Sequence, residues 1–124
     1  MSGINTLNAL LQGILNGIKV ETSGIWSYIK LPNGIAIAWG TVVDTTTANT
    51  QEGTCYYSAL NVDLPRGLFA TYPDIHATPC SNYMGGVAVS NGSTKDSLRL
   101  YNYTIMNVVH TNFKIALLSI GRWK

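Results

Sequence analysis

His76 and His110 are the two histidines of this chain, and imidazole is the one side chain whose unperturbed charge changes near neutral pH. Acid/base chemistry would begin with them. Asp74-Ile75-His76 sets a carboxylate and an imidazole two residues apart, which on a strand means the same side. A metal site needs at least a third ligand beside such a pair. None stands nearby, so an ordinary hydrogen-bonded pair is expected. Of the six carboxylates, Glu21 and Glu52 fall in polar breaks, and none of the Asp residues sits where a glycosidase acid/base pair would be recognised. No GxSxG, HExxH or phosphate-loop pattern is present. Cys55 and Cys80 lie outside any CxxC, which predicts two reduced, partly buried thiols rather than a zinc or redox site. The chain is therefore not expected to be an enzyme, to bind a metal or to carry a cofactor.

What positions these groups is a single domain with a short appendage. The 124 residues are 46% apolar but only 11% charged, against about 25% charged in an ordinary soluble domain. Neutral polar groups take the place of charge, with 13 Thr, 11 Asn and 9 Ser. The net charge of +2 comes from scattered single charges and leaves no basic stripe for nucleic acid. Three Trp, seven Tyr and two Phe imply a packed core rather than disorder. Residues 1–20 have no basic n-region, and their apolar residues are interrupted by Asn and Gly, so they read as mature fold rather than as a signal peptide. No apolar run approaches the ~20 residues that cross a bilayer, which predicts a soluble chain without membrane insertion. The glycosylation sequons at Asn91 and Asn102 carry little weight without a secretion signal.

Residues 1–20 read as a helix. Ile4, Leu7, Leu11, Ile14 and Ile18 repeat at alternating intervals of 3 and 4, the a/d seam of a coiled coil. Leu10 and Leu15 widen the seam, and Ile and Leu are mixed at both positions, which favours three strands over two. The expected trimer interface is therefore Ile4, Leu7, Leu11, Ile14 and Ile18. The competing expectation is an amphipathic helix folded back onto its own domain. A helix of about 16 residues is marginal alone, and Gly13 and Gly17 each cost about 1 kcal/mol relative to Ala, so some surface must cover the stripe. Two further copies of the same stripe supply one.

From residue 21 the period changes. Glu21-Thr22-Ser23-Gly24 reads as a polar break. Ile25–Leu31 and Ile35–Val42 alternate with period 2 around Pro32-Asn33-Gly34, and Asn-Gly is a strong hairpin signal. Trp26, Tyr28 and Trp39 are expected to pack across that hairpin. Residues 44–54 are almost wholly polar and read as a solvated loop. Cys55–Leu64 resumes alternation. Residues 68–83, with Pro73 and Pro79, read as strand fragments in an irregular excursion. Gly85–Ser90, Asp96–Tyr103 and Asn112–Ile120 follow, with turns at Asn91-Gly92 and near Asn107. Ile115–Ile120 is apolar on both faces, as in a central strand or one buried between subunits. Short strands at regular spacing predict an all-β antiparallel sandwich or barrel over residues 21–124, carried on the helix of residues 1–20.

The hairpin from Gly24 to Gly40, with its Trp26-Ser27-Tyr28-Ile29-Lys30 strand, Asn33-Gly34 turn and closing Trp39-Gly40, resembles the opening of C-terminal knob domains in bacteriophage tail fibres and related virion proteins. The ending Ile120-Gly121-Arg122-Trp123-Lys124 is similar to the chain ending common in those proteins. The resemblance implies a trimeric all-β knob on a short coiled-coil stalk, used in attachment to the bacterial surface. It further implies a location in the virion after assembly in the host cytoplasm, with other virion proteins as partners. A neutral surface rich in amides and hydroxyls and interleaved with Tyr suits a host surface glycan. The residues expected to bind it are Tyr72, Asp74, His76 and Tyr83. The alternative expectation is a trimeric capsid or tail decoration protein, docked through its helix and without a receptor.

Overall fold

The computed structural model describes residues 2–45, 47–48, 50–81, 84–105, 108–109 and 113–124. One helix, α1 (Ser2–Gly17), precedes eleven strands among the described residues. In chain order these are β1 (Glu21–Ser23), β2 (Trp26–Lys30), β3 (Ile35–Asp44), β4 (Thr47–Ala48), β5 (Thr50–Glu52) and β6 (Cys55–Asp63). They continue with β7 (Asp74–Cys80), β8 (Gly85–Val89), β9 (Ser97–Thr104), β10 (Val108–Val109) and β11 (Phe113–Arg122). The first sheet has the order β1-β2-β3-β11-β7 and the second β5-β6-β9-β8, with β10 and β4 forming a two-stranded ribbon. All pairings are antiparallel.

Helix α1 follows the 3-4 spacing, and the part of its stripe from Ile4 to Leu11 is uncovered within the single chain. Ile4, Leu7, Leu10 and Leu11 are about half exposed or more, so the expectation of a fold-back onto the β sheets does not describe them. Ile18 is half-buried just past the helix, and the side chain of Ile14 lies outside the described residues.

The β2–β3 hairpin forms as its alternation and Asn-Gly turn predict. Leu31 N–H donates to Ile35 O at 2.7 Å and Gly34 N–H to Leu31 O at 3.1 Å, while Ile35 N–H is received by Asn33 Oδ1 at 3.1 Å. Gly34 takes a φ of 93°, in the region that L side chains reach only with strain. The other end of the sequence closes on this turn. Trp123 donates its backbone N–H to Gly34 O at 2.9 Å and its indole N–H to Leu31 O at 2.8 Å. Lys30 and Lys124 set their ammonium groups 5.4 Å and 4.9 Å from the centre of its ring. The two stretches that carry the tail-fibre resemblance are thus one structural unit. Gly34→Ala is expected to lower stability by about 1–3 kcal/mol, because its β-carbon would also stand 3.2 Å from the Arg122 guanidinium; the midpoint of urea unfolding measures this.

Several segments differ from their sequence reading. Glu21–Ser23 is not a break but an edge strand paired with Trp26–Tyr28, because an edge strand needs partners for only one side of its backbone. Residues 44–54 are not one solvated loop. They include β4, β5 and Asp44, which is 1% exposed. Residues 74–80 form a full seven-residue strand rather than fragments, and Pro79 is accommodated because β7 lies at the sheet edge. Trp39 does not join Trp26 and Tyr28: it pairs with Ser27 and shares the opposite face. Cys55 and Cys80 are free, as expected, but Cys80 is exposed rather than partly buried. The turn foreseen near Asn107, like His110, falls outside the described residues. β11 does take the central place foreseen for it, between β3 and β7.

The core lies between the inner faces of the two sheets. Trp26, Ala36, Ala38, Phe113, Ile115 and Leu117 come from the first sheet, Val62, Leu98 and Leu100 from the second, and Leu64, Leu68 and Phe69 from the segment after β6. Trp26 spans the layers, its indole N–H donating to Asp63 O at 2.6 Å. Asp44 spans them at another point. One of its carboxylate oxygens, Oδ2, accepts the Ser58 hydroxyl at 3.2 Å and the Asn102 amide.

Candidate functional site

Alternation along the strands gives the two outer faces different chemistry. On the first sheet, Ser27, Trp39, Leu118 and His76 lie in one cross-strand row, and Ile29, Ile37, Ile120 and Asp74 in the next. Trp39 and Leu118 are 39% and 37% exposed. This outer face mixes aliphatic residues with Trp39, Ser27 and Thr41, and carries the polar pair Asp74 and His76 at its β7 edge.

The structure brings some of the expected binding residues together. Tyr72, which is exposed, and Asp74 line an open cleft of about 420 Å³ with Ser90, Asn91 and Ser93. The Asn91-Gly92 turn foreseen from sequence shapes its far wall. Ser93 N–H donates to Ser90 O at 3.1 Å, and Gly92 N–H to Ser90 Oγ at 3.0 Å. His76 shares the Asp74 face but does not line this cleft; it stands beside Leu118. Tyr83 lies outside the described residues. No group of three or more His, Cys, Asp or Glu is gathered as a metal site among the described residues.

The second sheet carries a cluster that sequence reasoning missed. Tyr57 and Tyr103 are directly opposed across β6 and β9, and Gly86 of β8 is opposed to Tyr103 on its other side. Tyr101 lies one row along, between Ala59 and Ala88. Tyr57, Tyr101 and Tyr103 line a cavity of about 430 Å³ with Glu52, Cys55 and Ala88. Tyr57 and Tyr101 meet edge to face, with centroids 5.6 Å apart and an interplanar angle of 88°, a favoured aromatic geometry. A β-carbon at Gly86 would fall 2.7 Å from Cζ of Tyr103, so glycine there is what lets the phenol ring settle across β8. Arg99, one row beyond Tyr101, stacks its guanidinium 5.5 Å from the Tyr101 ring centre and donates its Nε–H to the Tyr101 hydroxyl at 3.2 Å. Hydrogen bonds with Arg99 and, to a lesser extent, Ser90 hold the Tyr101 phenol below the ordinary tyrosine value, against smaller opposing pushes from desolvation and then from the Glu52 carboxylate. The Tyr101-Asn102-Tyr103 alternation was the available signal: it places both rings on one face. Only the strand register could add Tyr57 from residues more than forty positions earlier.

No family model matches the chain, and no curated protein matches it. Solved structures do. An N-truncated R2-type pyocin tail fibre superposes with a TM-score of 0.56 at 14% identity over 85% of this chain. A C-terminal fragment of the P. aeruginosa R1 pyocin fibre gives 0.55 at 13% over 85%, and an N-truncated R1-type pyocin tail fibre 0.55 at 13% over 91%. The chain spans 37% and 28% of the first two and 94% of the third. The antiparallel sheets, with the β2–β3 hairpin closed by Trp123, and the superposition on three pyocin fibre structures together establish that this chain has a fold of the pyocin tail-fibre type.

Proposed function

We propose that the chain is a virion fibre domain that attaches the particle to the host cell surface by binding a surface glycan, and that it works as a homotrimer joined through α1. The observation that carries this reading is the superposition on pyocin tail fibres over 85% or more of the chain. The uncovered stripe of α1 supports the trimer. Leu and Ile side chains contribute about 1.5–3 kcal/mol each when fully buried, and Ile4, Leu7 and Leu11 are 53%, 54% and 48% exposed. Copies of the same stripe would bury them. Trp39 and Leu118 offer a further apolar surface to a neighbouring copy. The chain would sit in the virion after assembly in the host cytoplasm, and it performs no catalysis.

Two measurements test the reading. Sedimentation equilibrium of the intact chain should give three times the chain mass, and Leu7→Asp with Leu11→Asp should give a folded monomer; a monomeric intact chain would defeat the trimer. Binding of the labelled protein to host cells, competed by extracted surface polysaccharide, supports attachment. The same exposed stripe also favours a second reading, a trimeric decoration protein docked to the capsid or tail through α1. There, deleting residues 2–17 abolishes incorporation into particles while the β sheets still fold, and host cells are not bound.

A further inference from the structure

The outer face of the second sheet has a composition that packing alone does not require. Tyr57, Tyr101 and Tyr103 cluster there among small neighbours, Ala59, Gly86 and Ala88, so nothing large competes with the rings for the surface. The cavity is lined at one end by Glu52 and Cys55, and the same face of β6 continues past it to Asn61, opposite Arg99, six residues or about 20 Å from Cys55. That length takes more than one pyranose ring.

We propose that this trough binds an acidic oligosaccharide, with pyranose faces laid on Tyr57, Tyr101 and Tyr103 and a carboxylate or phosphate of the sugar held by Arg99. The inference rests on the attachment reading above and gives it a site other than the cleft at Tyr72 and Asp74.

Three features select this ligand. Aromatic faces take the apolar C–H side of a sugar, and phenol hydroxyls both donate and accept hydrogen bonds to its hydroxyls. Arg99 is exposed, yet its guanidinium is held in place by stacking on Tyr101 and by the bond through Nε. The one ion pair among the described residues is Lys95 with Asp96, so the Arg99 charge is not neutralised by a carboxylate there. An oriented guanidinium with its terminal nitrogens available is suited to a two-point bond with a carboxylate or phosphate. At the far end, Glu52 accepts from neutral hydroxyls and repels a second acid, which sets the direction in which the sugar lies.

The test uses the intact chain on an array of bacterial surface polysaccharides, acidic and neutral, with a carboxyl-reduced and a dephosphorylated form of each acidic one. The expected result is retention of at least one acidic polysaccharide, with Tyr101→Ala and Tyr103→Ala each weakening it tenfold or more. Arg99→Gln should remove the preference for the acidic form over its reduced or dephosphorylated form, and which treatment mimics that loss separates carboxylate from phosphate. Arg99 is exposed, so this variant keeps the question answerable if a tyrosine variant misfolds; circular dichroism monitors that. Retention that survives Tyr101→Ala and Tyr103→Ala in folded protein, or that is lost only in Tyr72→Ala and Asp74→Asn, overturns the trough and leaves the attachment reading standing. Equal retention of acidic and reduced forms overturns the role given to Arg99. An intact chain that binds neither host cells nor any polysaccharide overturns both.

Discussion

Trp26→Ala is expected to destabilise the domain by about 3–5 kcal/mol, the usual cost of removing a large aromatic side chain from a core. Trp26 is 2% exposed and belongs to the buried cluster between the sheets. Its removal opens a cavity between the sheets and leaves the Asp63 carbonyl, now bonded at 2.6 Å, without its donor. Against a total of about 5–15 kcal/mol for an ordinary domain, such a loss brings the chain close to unfolding at physiological temperature. Urea unfolding followed by tryptophan fluorescence measures it. Trp39→Ala is the matched control. That residue is on the opposite face of the same hairpin and 39% exposed, so the loss should be far smaller, while any self-association through the outer face weakens. Equal losses at the two positions would contradict the assignment of faces.

Asp44→Ala is expected to cost about 3 kcal/mol or more. The carboxylate accepts hydrogen bonds from Ser58 and Asn102, and bonds to a charged group contribute about 1.5–3 kcal/mol each. Ala would leave the Ser58 hydroxyl and the Asn102 amide buried without that acceptor. The Asn102 carbonyl oxygen already has no partner among the described residues, so the amide has nowhere favourable to turn. Asp44→Asn preserves one acceptor oxygen and should lose distinctly less. Thermal unfolding of the two variants beside the parent gives the comparison, and an Ala variant as stable as the parent would show that the two sheets do not depend on this bridge.

Asp44 also marks where sequence reasoning runs out. It opens a stretch of eleven residues that is nearly all polar, and polarity alone predicts solvent. Its burial depends on the paired strands β6 and β9 bringing Ser58 and Asn102 to it, from 14 and 58 residues away. Burial of a charge is decided by its partners, and long-range partners have no local signature. Trp39 failed for a related reason. Its aromatic character suggested packing with Trp26 and Tyr28, but period 2 within each strand does not assign faces across the hairpin: between positions 26 and 39 the register runs through the turn, and the turn sets which residue opposes which.

The two candidate sites follow the same division. That Tyr72 and Asp74 line one cleft was legible because they are close in sequence and share a polar, proline-marked segment. The tyrosine trough was not, because Tyr57 meets Tyr103 only through the pairing of β6 with β9, and because Gly86 acquires its purpose only when the Tyr103 ring lies across it.

By itself the sequence determined the helix and its apolar stripe, the Asn33-Gly34 hairpin, the antiparallel all-β class and the scarcity of catalytic groups. Each of these is set by spacing or composition within about 20 residues, where periodicity and turn chemistry act directly. Only the tertiary structure decided which face each aromatic residue joins, that Trp123 closes on the hairpin turn 92 residues earlier, and that Asp44 is a buried bridge. It also decided that the low charge content coincides with two chemically distinct outer faces, one mixed around Trp39 and Leu118 and one phenolic. Those outcomes depend on strand register and sheet order, which are fixed by burial across the whole chain rather than by any local preference.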